Sequence, residues 1–152
     1  MTAGGKSTGR AARELALNLL FQMDVAGLPL DEALATAREN ARVPAEALER
    51  GLGLAAGAWS FASESDVIVN ELAPSWTVDR QSSVDRNILR LALYEMLQLQ
   101  QPPGPVVINE AVEMAKVFGS EDSGRFVNGV LAAAHRRAQQ GEMRVGDECN
   151  GS

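Results

Sequence analysis

The stretch VDRNILRLALYEMLQLQ, residues 84–100, decides the fold class of this chain. Its apolar residues recur at the three- and four-residue spacing of an α-helix, and they lie on too many sides for a helix that has one face in solvent. We therefore predict a central, buried helix with Ser83 as its N-cap. The segment PPGP, residues 102–105, follows it and is the strongest helix-breaking sequence in the chain.

The segments on both sides of this helix are also predicted to be helical, and period-two alternation of β-branched residues is almost absent. The segment from Pro44 to Ala73 needs a break near SFASESD, because a continuous helix of that length would reach about 45 Å. The other predicted helices run from about Arg10 to Val25, over LDEALATAREN at 30–40, from about Asn109 to Gly119, and from about Ser123 to Ala138. The sequence thus predicts an all-α fold.

Length and composition indicate one domain in the cytoplasm. The chain has 152 residues, of which 45% are hydrophobic, enough for one core. Cys149 is the only cysteine, so neither a disulfide framework nor a cysteine-based zinc site is expected. Because no apolar run resembles a membrane span or a signal sequence, we expect a protein that is neither membrane-bound nor secreted.

Charge is distributed unevenly along the chain, although the formal total is -6. Residues 1–13 carry +3 from Lys6, Arg10 and Arg13, whereas residues 14–85 carry -8 and residues 86–152 carry -1. A polyanion is therefore expected to meet the N-terminus and selected parts of the C-terminal half. The predicted organisation is a flexible basic arm at 1–9, a helical domain at 10–138 and a disordered polar tail at 139–152.

Groups suited to catalysis are sparse, so we expect no enzyme activity, no cofactor and no metal. His135 is the only histidine, and GLGLAAG at 51–57 lacks the lysine of a phosphate-binding loop. Glu95 lies within the most apolar helix, where a carboxylate is costly unless it is paired. It is predicted to meet an arginine or to cap a neighbouring helix.

The segment GSEDSGRFVNGVL, residues 119–131, carries groups that suit single-stranded RNA. Stacking on rings or guanidinium planes, combined with hydrogen bonds to base edges, is how proteins usually hold such RNA. Arg125, Phe126 and Asn128 supply these groups, and Phe118 adds a second ring. The alternative for Phe126 is inward packing at the spacing of one helical turn. Ser123 or Asp122 is predicted to cap the last helix.

Two separated segments in this order resemble the NusB family of bacterial transcription antitermination factors. They are VDRNILRLALYEML and VVINEAVEMAKVFGSEDSGRFVNGVL, and ARELALNLLFQMDVAG is similar to the first helix of that family. The resemblance extends from about Arg10 to Ala138 and is weakest between Leu30 and Pro74.

This resemblance implies a fold of about six or seven helices in two packed bundles, without catalysis. It further implies binding of single-stranded boxA RNA in ribosomal RNA leader transcripts together with NusE, a small-subunit ribosomal protein. The complex would then join RNA polymerase and other Nus factors, and a homodimer is a further possibility. The implied RNA contacts, to which residue chemistry adds Arg125, are Arg10, Arg13, Phe118, Asp122, Phe126 and Asn128. The implied partner contacts are Phe21, Asp24, Asp85 and Arg86.

The chain departs from the family pattern at its N-terminus, where Gly9 and Ala11 flank Arg10 in place of an unbroken arginine cluster. Phe21 also replaces a common tyrosine. Fewer phosphate contacts weaken RNA binding. Two alternatives therefore stand beside the RNA-binding factor: a helical module that binds NusE with little RNA affinity, and an RNA-targeting domain related to those of rRNA cytosine methyltransferases. The polar C-terminal tail makes the second of these the less favoured.

Overall fold

A computed structural model describes residues 7–141, which form seven α-helices and no strand. The all-α prediction is confirmed. The helices are α1 Thr8–Val25, α2 Leu30–Asn40, α3 Ala45–Ser60, α4 Ala62–Leu72, α5 Ser83–Leu93, α6 Gly104–Phe118 and α7 Ser123–Gln139. None of the helices in this range combines the length and the apolar character needed to cross a membrane.

The helices pack as two bundles that share α5. Helices α1, α2 and α3 form the first bundle, and α4, α6 and α7 surround α5 in the second. Helix α5 also contacts α1 and α3, and its Ile88, Leu89, Leu91 and Leu93 are buried. The predicted central helix and the two-bundle arrangement are therefore both confirmed.

The ends of the central helix differ from the prediction. Its N-cap is Ser82 rather than Ser83, and the Ser82 Oγ accepts a hydrogen bond from the Asp85 backbone N at 3.1 Å. After Leu93 the chain continues as a π-helical turn, Tyr94–Leu99, which ends at Gln100 in the left-handed conformation. A π-helical turn is rare, so α-helical spacing gave no reason to predict one.

Other observed helix boundaries can be compared with the predicted ones. The predicted break in 44–73 is confirmed, since α3 ends at Ser60 and α4 begins at Ala62. Helix α6 begins at Gly104 instead of about Asn109, because Pro105 suits a first turn that needs no N–H donor. Helix α1 begins at Thr8, within the segment predicted as an arm, because Ser7 caps it through a hydrogen bond from Arg10 N. The rest of the arm, 1–6, and most of the tail, 142–152, lie outside the described residues.

The glycines of GLGLAAG permit close packing around α3. A Cβ on Gly51 would lie 2.9 Å from the backbone oxygen of Ala12 on α1, and a Cβ on Gly57 would collide with the Tyr94 ring. A side chain at either position would force its neighbour away. These glycines thus set the distance between α3 and its neighbours, which agrees with the expectation that they form no phosphate-binding loop.

Candidate nucleic-acid and partner interface

The turn between α6 and α7 is tight and exposes Phe118, whose side chain is 45% accessible. The Ser120 backbone N donates a hydrogen bond to Ser123 Oγ at 2.9 Å, which closes the turn. A Cβ on Gly119 would lie 2.8 Å from the Ala115 backbone oxygen and would collide with Ser123 Oγ. Gly119 is therefore required for this geometry, and the turn holds Phe118 outward at the end of α6.

The predicted side-chain cap of α7 is wrong. Asp122 occupies the N-cap position, but its carboxylate makes no capping hydrogen bond. Ser123 is already the first helical residue, and its hydroxyl turns back to Ser120. The Asp122 carboxylate is consequently exposed beside the start of α7, where the helix dipole favours negative charge.

Three of the predicted RNA groups are exposed around this turn: Phe118, Arg125 and Asn128. Arg125 makes no ion pair within residues 7–141, and it lies one helical turn before Asn128 on the same face of α7. Phe126 is half-buried and packs against the core, as the alternative for that residue proposed. We refer to Phe118, Asp122, Arg125 and Asn128 as the turn surface.

The two arginines predicted to contact RNA at the N-terminus are both paired with acids. Arg10 Nε donates to Glu110 Oε1 at 3.0 Å, and this hydrogen bond together with the charge of Glu110 raises the pKa of Arg10. Arg13 donates through Nε and Nη2 to the two carboxylate oxygens of Glu95, both at 2.9 Å. The side chains of Arg13 and Glu95 are only 6% and 2% exposed.

Two conclusions follow from the Arg13 pair. Glu95 meets an arginine, as predicted for a buried carboxylate. Arg13, however, cannot reach RNA in this structure, because burial and a bidentate ion pair hold its guanidinium inside the protein. We therefore remove Arg13 from the candidate RNA contacts.

A groove between α1 and the end of α6 joins the two predicted surfaces. Its volume is about 330 Å³, and we call it the α1–α6 groove. Phe21, 40% exposed and predicted to contact a partner protein, lines this groove together with Phe118. The other lining residues are Glu14, Leu17, Asn18 and Val84. A mainly apolar groove with two accessible aromatic rings is typical of a protein-binding site.

The remaining predicted partner residues are buried or partly buried, and two of them are bonded within the protein. Asp24 Oδ2 accepts hydrogen bonds from Arg86 Nε at 2.8 Å and from Asn87 Nδ2 at 3.0 Å. Arg86 Nη1 donates to the backbone oxygens of Val78 and Gln81 at 3.1 and 3.3 Å, so this cluster ties α1 to α5 and to the connector before it. Asp85 is buried as well. Among the four predicted partner residues, only Phe21 is exposed.

Acid is expected to destabilise the protein through Asp24. Burial alone would raise the pKa of Asp24, but hydrogen bonds from Arg86 and Asn87 outweigh it and bring this pKa below the ordinary value of 3.8. A depressed folded pKa gives stability that is present above the unfolded value and is lost as the pH falls through the folded value. The free energy of unfolding, measured in denaturant between about pH 5 and pH 2.5, should therefore converge for the wild type and Asp24→Asn as the pH falls. A constant difference between them would contradict this role.

Sequence reasoning missed Arg50, which lies on α3 within the acidic part of the chain. A Cβ on Gly9 would lie 3.3 Å from Arg50 Nη1 and 3.1 Å from Arg13 Nη1, so both guanidiniums border the start of α1. Residues 9 and 50 are far apart in sequence, and no local pattern links them.

Comparison with known proteins identifies the family. The NusB family matches residues 10–136. The transcription antitermination protein NusB of Symbiobacterium thermophilum is 45% identical over 135 residues, which cover 84% of this chain and 88% of the relative. NusB of Roseiflexus sp. is 41% identical over 136 residues, 88% of this chain and 96% of the relative.

Solved structures agree in fold. The structure of T. maritima NusB has a TM-score of 0.77 at 33% identity and covers 87% of this chain and 93% of its own. A crystal structure of antitermination factors NusB and NusE in complex with dsRNA has a TM-score of 0.76 at 28% identity, with 85% and 96% covered. Sequence match and fold therefore agree, and the chain belongs to the NusB family of transcription antitermination proteins.

Proposed function

We propose that this protein binds single-stranded boxA RNA of ribosomal RNA leader transcripts together with NusE, and so promotes processive transcription of rRNA operons in the cytoplasm. The complex would act on RNA polymerase with other Nus factors. The observation that carries the proposal is the turn surface, where an aromatic ring, an amide and a guanidinium that has no ion pair within residues 7–141 are exposed together. The similar structure of NusB and NusE with dsRNA supports both classes of partner.

On this proposal the groups of the turn surface have separate roles. The Phe118 ring offers a face on which a base can stack, which is worth about 1–3 kcal/mol per base. Asn128 can donate to and accept from a base edge, and Arg125 can bind a phosphate or stack. Arg10 can contribute through its Nη groups, since only its Nε is bonded to Glu110 in the free protein.

The α1–α6 groove is the proposed site for NusE. Phe21 provides accessible aromatic surface on the α1 side of this groove, and such residues dominate the energetics of protein interfaces. Glu14, Glu110 and Glu113 act electrostatically on Arg10, which is hydrogen-bonded to Glu110.

A second candidate function is a NusE-binding module with little RNA affinity. The paired state of Arg10 and Arg13 favours it, because the described part of the predicted arm presents no unpaired guanidinium. The interpretation as a methyltransferase domain gains no support from the two relatives described above, since each is an antitermination protein matched over at least 88% of its own length.

The test is fluorescence anisotropy of a labelled boxA-type RNA, titrated with the protein alone and with NusE at two salt concentrations. Phe118→Ala is expected to weaken RNA binding about tenfold through lost stacking. Val67→Ala, which trims an exposed apolar side chain on α4, is the control and should bind as the wild type does. A duplex of the same sequence distinguishes single-strand from double-strand preference.

Binding that is salt-sensitive and tightened by NusE would support the proposed factor. If NusE binds but RNA does not join the complex, the interaction-module function replaces it. Equal loss in the Phe118 and Val67 variants would remove the turn surface from the RNA site.

A further inference from the structure

We propose that Arg50, on α3, binds a phosphate of the RNA backbone beside the start of α1. The inference rests on the proposed RNA binding and adds a contact from a helix that no sequence feature or resemblance pointed to. Three features of the described residues support it: the pairing of the N-terminal arginines with acids, the position of Arg50, and the pairing of the two cavity acids with other arginines.

The first feature is the pairing of the N-terminal arginines. Arg10 donates to Glu110, and Arg13 is held by both carboxylate oxygens of Glu95. Each pair is electrically neutral, so neither adds net positive charge where α1 begins. Among residues 7–141, an RNA strand at the start of α1 therefore gains no net positive charge from these two pairs.

The second feature is the position of Arg50. Its Nη1 lies 3.3 Å from the point that a Cβ on Gly9 would occupy, so the guanidinium borders the first turn of α1. Arg50 is exposed, and within residues 7–141 it makes no ion pair. Residue 9 is glycine and adds no side chain here, and Arg13 Nη1 lies 3.1 Å from the same point.

The third feature is that the two acids in the walls of the cavity beside Arg50 already have other partners. Arg50 lines a cavity of about 400 Å³ whose walls include Glu49 and Glu95. Glu49 is bound by Arg38 through hydrogen bonds of 2.5 and 3.2 Å, and Glu95 is bound by Arg13. The two acids and their arginines cancel, and Arg50 is left as the net positive charge of this cavity.

A phosphate is the ligand that this arrangement suits. The planar guanidinium donates two parallel hydrogen bonds to a phosphate, and it is more weakly hydrated than an ammonium. A free carboxylate of the protein would compete for it, but Glu49 and Glu95 are occupied. The geometry therefore extends the candidate RNA surface from the start of α1 onto α3.

The experiment compares Arg50→Gln with a matched control, Arg42→Gln. Arg42 is exposed, lies between α2 and α3, and makes no ion pair within residues 7–141, so both substitutions remove one unpaired positive charge. Binding of labelled boxA-type RNA is measured by anisotropy in the presence of NusE from about 50 to 200 mM salt. Arg50→Gln is expected to weaken RNA binding about three- to tenfold at the lowest salt concentration. It should also flatten the slope of the logarithm of the association constant against the logarithm of the salt concentration by about 0.7.

The control should change affinity less than about twofold. Arg50→Lys should bind RNA with an affinity between those of the wild type and Arg50→Gln, because it keeps the charge but not the two parallel hydrogen bonds. Circular dichroism and NusE binding verify that both glutamine variants are folded. If Arg50→Gln and Arg42→Gln behave alike, or if Arg50→Lys binds as poorly as Arg50→Gln, the contact is overturned while the proposed function stands. If the wild type binds no RNA even with NusE, the proposed function fails and this inference fails with it.

Discussion

Replacing Glu95 by alanine is expected to lower the free energy of unfolding by about 3–5 kcal/mol, the usual cost of breaking a buried ion pair by removing one partner. Arg13 would keep its charge in a site where its side chain is only 6% exposed, and both of its hydrogen bonds to Glu95 would be lost. The measurement is equilibrium unfolding in urea at neutral pH.

Glu110→Ala is the matched control, because it also removes a glutamate that binds an N-terminal arginine. Its pair with Arg10 is more exposed, with 33% of the arginine and 21% of the glutamate side chain accessible, so the expected loss is about 1 kcal/mol or less. Similar losses of stability in the two variants would show that burial does not determine how much the Glu95–Arg13 pair contributes to the free energy of unfolding. The double variant Arg13→Met/Glu95→Leu should recover much of the lost stability, since it leaves no buried charge.

Two alanine substitutions on α3 are expected to have opposite signs. At Gly51 a Cβ would lie 2.9 Å from both the Ala12 backbone oxygen and Leu15 Cδ2, so α1 would have to move and the protein should lose about 1–3 kcal/mol. At Gly53 no atom lies within 4 Å of the new Cβ, and alanine should stabilise the helix by up to about 1 kcal/mol. Urea unfolding of both variants measures the difference.

The sign of the Gly51 effect is the decisive result. If Gly51→Ala were as stable as Gly53→Ala, α1 and α3 would tolerate a wider separation, and close packing would not fix their distance. A loss at Gly51 alone would show that the α1–α3 contact is set by the missing side chain. This contact also determines function on our proposal, because it places Arg50 beside the first turn of α1.

The sequence was most informative about the helices and least informative about their ends. Helix α2 has the predicted bounds, and the break between α3 and α4 lies in SFASESD as predicted. Amphipathic spacing is a property of each segment alone, so it can be recognised without knowledge of the fold. The early start of α6, the missing side-chain cap of α7 and the π-helical turn depend on individual backbone geometries that apolar spacing does not encode.

For the candidate site as well, the sequence predicted some features correctly and missed others. Exposure of Phe118, Arg125 and Asn128 agrees with their position around a predicted turn, and inward packing of Phe126 was an open alternative. Arg13 was predicted to contact RNA, and Asp24 and Arg86 to contact a partner, yet the structure pairs the charge of each with another residue of the protein. Each is paired with a residue at least 62 positions away in the chain.

By itself the sequence determined an all-α chain with a buried central helix, a buried glutamate that needed a cation, and a turn bearing groups suited to RNA. These follow from spacing and from the cost of burying a charge, which are local properties. Only the tertiary structure decided which charges remain available: it paired Arg13 with Glu95, and it brought Arg50 to Gly9. An ion pair forms between groups that folding brings within a few ångströms, and sequence separation places no limit on which groups those are.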